Sequence, residues 1–336
     1  MSDPARTYNQ AHAPRPYTPG RRRLSIYISW SYPGEAGRDV TQMDNRYSTM
    51  TDVRRVTWPA YETPRFSDPL QFQQGISGSL ELFFWAFIPF QKLAQDVTGH
   101  QVPVFQRVDH AGFFLPLDER VLGDADTLLI FGLDHNVTGQ DATAAEIDAV
   151  REFLKRDGTC VAIGPHHDVG RSDDPDVRAM EYAHHGDALV PRQQRFGRYT
   201  LSLLKGLGIA VENQYALRPA VIPGTNKIAP VSVARDLDAK GWLDGVETLN
   251  FHLHLPHYAV LRDDGSARVL ARQPIDLTRP HPFTEAGARE LNTLVWVPPS
   301  GDRAGDVLVV DSTNFSTLFG SDESLQRFWK NLATVA

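Results

Sequence analysis

The chain has 336 residues, 41% of them hydrophobic and 22% charged, which is enough apolar material for one large or two small soluble globular domains. Its 34 Lys and Arg against 41 Asp and Glu leave a net charge of −7, so no general basic face exists to neutralise nucleic-acid phosphates. The single Cys160 excludes an intramolecular disulfide and any multi-cysteine metal site, which fits a reducing cytoplasmic compartment.

Residues 1–23 are rich in Pro, Ala, Arg and Tyr and carry no apolar core of a secretory signal, so they read as a disordered or arm-like tail. One α/β domain is expected over 24–336. Leu24–Trp30 reads as its first strand and 31–79 as a long loop. Ser79–Val97 follows as an aromatic-rich helix. Its most apolar stretch, Leu80–Phe90, is too short to span a bilayer.

Three apolar runs then each lead into an Asp/His group. Val102–Val108 ends in Asp109-His110, and Thr127–Gly132 leads to Asp134-His135. Thr159–Gly164 reaches His166-His167-Asp168 across one proline. Runs of this length and composition are strands buried on both faces. Between the second and third lies the clearest helix, Ala144–Arg156. It opens with the capping box Thr143-Ala-Ala-Glu146, shows Ile147, Val150 and Leu154 at helical spacing, and stops at Gly158. The resulting βαβ unit makes its two strands parallel and brings their carboxyl ends to one rim, where ligands bind in open sheets.

Asp174-Pro175 begins a helix that runs to about His185, and 192–207 forms another. Short strands are expected at Thr248–His254, Tyr258–Arg262, Arg268–Gln273, Thr293–Val297 and Asp306–Asp311, with Asp263-Asp264-Gly265-Ser266 as a hairpin turn. Ser324–Leu332 closes the chain as an amphipathic helix. The fold class predicted is three-layer α/β of flavodoxin or amidotransferase-like type, with a mostly parallel central sheet and additional C-terminal antiparallel strands.

Neutral imidazoles and carboxylates are the usual ligands of zinc or iron, and His166, His167 and Asp168 are the densest such group. Asp134 and His135, one strand away, offer a ligand, a carboxylate to orient a ligand histidine, or a general base. His252 and His254, placed on a strand, would share one face and complete the metal set. The competing reading makes them a solvated polar face. Glu181, His184 and His185 share a helix end, where histidines also simply suit the macrodipole. Cys160 lies inside a strand as an inert thiol. No Gly-rich phosphate loop and no G-x-S-x-G elbow is present, which disfavours a nucleotide cofactor and a serine nucleophile.

The run from Asp124 to Gly170, a strand, loop, amphipathic helix, glycine, strand and tight turn, resembles the class I glutamine amidotransferase-like superfamily. The ending VLVVDSTNFSTLFGSDESLQRFWKNLA is similar to that group's terminal segments. The resemblance implies a cysteine nucleophile at the turn after 159–164. Here that turn is Gly164-Pro165-His166, so the chain is closer to the cysteine-less branch, of trehalose-utilisation and dimethylformamidase type.

Together these residues point to a metal-dependent hydrolase of a small polar amide-like substrate. His166, His167 and either His252 or His254 would hold a zinc or iron ion, with Asp134, His135 and Asp168 in catalytic roles. The alternative is a non-catalytic binding or scaffold domain that keeps the sheet and has lost the chemistry. The expected partner is a small molecule, with neither nucleic acid nor membrane. The acidic charge and Pro-rich arm are compatible with a homo-oligomer.

Overall fold

The computed structural model describes residues 14–30, 86–107, 114–134, 136, 139–185 and 194–335. Asp109, His110 and His135, together with the expected loop over 31–79, lie outside these residues.

The strands are β1 (Leu24–Trp30), β2 (Val104–Gln106), β3 (Thr127–Leu133), β4 (Cys160–Pro165), β5 (Asp168–Val169), β6 (Gln194–Arg195), β7 (Val211–Leu217), β8 (Ser232–Val233), β9 (Leu255–Val260), β10 (Arg268–Pro274), β11 (Glu290–Val297) and β12 (Asp306–Val310). The helices are α1 (86–98), α2 (Glu119–Leu122), α3 (Ala144–Leu154), α4 (Pro175–His185), α5 (Arg198–Gly206), α6 (Pro282–Glu285) and α7 (Glu323–Thr334).

Eight strands form the central sheet in the order β2-β1-β3-β4-β12-β11-β10-β8. The first five run parallel, and β11, β10 and β8 are added antiparallel. This is the mostly parallel α/β sheet expected. Because alternate side chains leave opposite faces of a strand, each parallel strand feeds two cores. Ile26, Leu129, Phe131, Ala162 and Leu308 pack with α1 and α7, whereas Tyr27, Leu128, Ile130, Val161 and Val309 pack with α3 and α5. Burial on both faces is why these strands read as unbroken apolar runs.

The capping box of α3 forms as expected: Thr143 Oγ1 accepts from Glu146 N, and the Glu146 carboxylate accepts from Thr143 N. Glu146 is also fully buried against Arg107, an ion pair that joins α3 to the end of β2. No helix among the described residues is long and apolar enough to cross a membrane.

Residues 14–23, grouped with the tail by composition, are docked. Arg15 is buried, bonding Asp124 and Ser25, and Arg23 pairs with Asp126 at 2.7 Å. The helix expected over 192–207 starts later, at Arg198. Gly197, with φ of +85°, breaks the chain between β6 and α5, a conformation that side chains other than glycine rarely adopt.

Two C-terminal expectations are corrected. Thr248–His254 is not a strand, because the Asn250 side chain accepts from His252 N at 2.7 Å and turns the chain before β9 begins at Leu255. Such a local side-chain bond competes with sheet pairing. Nor does the Asp263–Ser266 turn close a hairpin. β9 pairs with β7 in a separate two-stranded sheet, while β10 joins the central one.

Candidate metal centre

β4 and β12 are adjacent and parallel, so their carboxyl ends open on the same rim. Gly164 permits the close approach: a Cβ there would lie 2.7 Å from the Val310 carbonyl oxygen. Beyond Pro165 the chain delivers His166 and His167, and beyond Val310 it delivers Asp311. His167 O accepts from Phe196 N at 3.0 Å, and the Asn213 amide donates to His166 O, so the backbone of this elbow is held on two sides.

His166 Nδ1 is 2.9 Å from Asp311 Oδ1. Burial alone would raise the Asp311 pKa. The charge of His166 and hydrogen bonds from His166 and Thr313 outweigh it, holding the carboxyl below its usual range. An ionised carboxylate can only accept, so His166 donates through Nδ1 and turns Nε2 away from Asp311.

The turn built by Asn250 brings His254 to the same place. His166, His167 and His254 each offer a ring nitrogen within 4.8 Å of the other two. His252 is next in line, its ring 4.3 Å from that of His254 and edge-on to Phe319 at 4.5 Å. Its Nδ1 lies 3.2 Å from the His254 carbonyl oxygen, which also can only accept, so Nε2 is the bare nitrogen. His185, from the last turn of α4, stacks on His254 at 3.7 Å and places Nε2 3.3 Å from Nε2 of His167.

Electrostatics keep His185, His252 and His254 neutral. Burial, reinforced by the neighbouring imidazoles, pushes His185 down to about 3 and His254 well below the ordinary histidine value. Burial and His166 push His252 down to about 4. Neutral imidazoles with unprotonated nitrogens aimed at a common volume are what a transition-metal ion requires.

The other acids named from sequence have partners of their own. Asp134 is fully buried with Oδ1 accepting from Ser29 Oγ and Oδ2 from Tyr199 N, which ties β1 and β3 to the start of α5. Among the described residues no hydrogen bond joins it to a histidine. Asp168 pairs with Arg195 at 2.6 Å, and Glu181 accepts from Gly170 N at 2.7 Å.

Sequence reasoning left two members out of the group: Asp311, and His185, which it read as suiting a helix end. The signal for Asp311 was present, an apolar run ending in an acid, as at the other strand ends. His185 was hidden beside His184, which serves the fold: His184 Nδ1 accepts from Arg218 N and its Nε2 donates to the Asp276 carbonyl oxygen.

No family model and no curated protein matches this chain. Among the solved structures similar at low level are two that cover most of this chain. One, described as the mmIFT52 N-terminal domain, is 10% identical over 71% of this chain and 85% of its own, with a TM-score of 0.35. The other, a thua-like protein from Bacteroides uniformis, is 10% identical over 95% of this chain and 93% of its own, also with a TM-score of 0.35.

Proposed function

We propose that the protein is a metal-dependent hydrolase of a small polar, amide-like substrate, with His166, His167 and His254 as ligands of a zinc or iron ion. The observation that carries this reading is the meeting of three imidazole nitrogens within 4.8 Å, one of them oriented by a buried carboxylate. A histidine whose second nitrogen donates to a carboxylate is the recurring support of a metal ligand. An ion held by neutral imidazoles would polarise a carbonyl group and lower the pKa of a bound water toward neutrality.

The chain's own groups have distinct duties. Asp311 fixes the tautomer and rotation of His166. His252 sits beside His254 with its Nε2 unprotonated and would take up the proton of an attacking water. Asn250 and Asn213 hold the two backbone turns that present the histidines, the first through His252 N and the second through His166 O. Cys160 takes no part, since burial pushes its thiol up to about 12.

The test is metal analysis of protein purified without chelators, followed by assay of the zinc- and iron-loaded forms on a panel of small primary and secondary amides. About one equivalent of a transition metal, with amide cleavage abolished by chelation and restored by the ion, is the expected result. Protein that neither retains nor takes up zinc or iron overturns the reading and favours a non-catalytic binding domain.

A further inference from the structure

His184 and His185 are neighbours on α4, yet a turn of about 100° per residue sends their side chains into different surroundings. His184 spends both ring nitrogens on backbone partners, as described above. His185 turns into the imidazole group instead, with almost no exposure to solvent. Its position relative to the elbow is braced: Glu181, one turn earlier on the same helix face, accepts from Gly170 N just beyond β5. That strut links α4 to the segment that directly follows His167.

The two facing nitrogens, Nε2 of His167 and Nε2 of His185, are 3.3 Å apart. That distance admits an N–H···N bond from one ring to the other. It is the spacing of two donor atoms on a tetrahedral zinc ion, since bonds of about 2.0–2.1 Å at the tetrahedral angle separate the donors by about 3.3 Å. His185 also stacks on His254, with 3.7 Å between ring centroids, and His254 is itself within reach of His166 and His167.

We propose that His185 is a fourth imidazole ligand of the centre formed by His166, His167 and His254. The assignment rests on the metal reading given above and extends it. A shell of four neutral nitrogen donors favours zinc, copper or nickel and disfavours magnesium, calcium and manganese, which prefer oxygen. With four side chains holding it, an ion there would take up water or substrate as a fifth ligand.

X-ray absorption at the zinc edge, on full-length protein loaded with one equivalent of zinc, counts the imidazoles directly. Four are expected in the wild type and three in His185→Ala, with zinc affinity in chelator competition falling roughly a hundredfold or more. The control His184→Ala keeps four. Three imidazoles in the wild type overturn the assignment of His185 and leave the three-histidine site standing. A wild type that takes up no zinc overturns both. Should His185→Ala fail to fold, the wild-type count alone decides.

Discussion

Nδ1 of His166 and Oδ1 of Asp311 lie 2.9 Å apart, a contact that joins the carboxyl ends of β4 and β12 across the middle of the sheet. The pair sets the tautomer of a candidate ligand, so its loss acts on the site before it acts on the fold. Asp311→Asn retains the shape of the side chain and removes its charge. Zinc affinity, measured by competition with a chromophoric chelator, is expected to fall about ten- to a hundredfold. Unchanged affinity would show that His166 needs no such partner.

His254 and His252 differ in a way that a single experiment separates. His254 belongs to the group within 4.8 Å, and His252 lies one ring further out against Phe319. His254→Ala is expected to abolish stoichiometric zinc retention, whereas His252→Ala retains zinc and loses hydrolysis. Metal content per protein after gel filtration gives the answer, and equal loss in both variants would place His252 among the ligands.

How much of this was legible in the residues follows from which forces are local. β3, β4 and β12 were visible as apolar runs because both their faces are buried, and the Thr143–Glu146 box marked the helix between the first two. His166 and His167 were visible as an imidazole pair at a strand end. The orienting carboxylate was sought at Asp134 and not at Asp311, because both follow strands that flank β4 and only the sheet order and the α5 contact distinguish them. The turn at Asn250 and the pairing of β9 with β7 were also hidden. One depends on a side-chain bond that competes with strand pairing, the other on partners 38 to 49 residues away.

Gly164 provides a test of whether strand spacing sets the geometry of the site. A methyl group there would meet backbone atoms at and just beyond the end of β12, 2.7 Å from Val310 O and 2.8 Å from Ser312 N. Neither is the end of a flexible side chain, so β4 and β12 must part. Gly164→Ala is expected to cost about 1–3 kcal/mol in urea unfolding. Because the same movement draws His166 from Asp311, zinc affinity falls with it. A variant that loses stability and keeps full affinity would show that the ligands are positioned from elsewhere.

His257 gives a pH dependence separate from the candidate ligands. It is buried beside Phe283, and its Nδ1 accepts from Asn292 N at 3.1 Å, a bond that only the neutral tautomer makes. Burial pushes its pKa down to about 4. The unfolded chain, with a histidine near 6.5, therefore binds the proton first as pH falls. Stability is unaffected by this group above that value, declines as pH drops from about 6.5 towards 4, and then levels off. Between about pH 7 and pH 5 the linkage amounts to about 2 kcal/mol. His257→Gln keeps a side-chain acceptor and removes the titration. Urea midpoints measured over this range should therefore fall less steeply in the variant than in the wild type. Parallel slopes would mean that His257 is not held neutral.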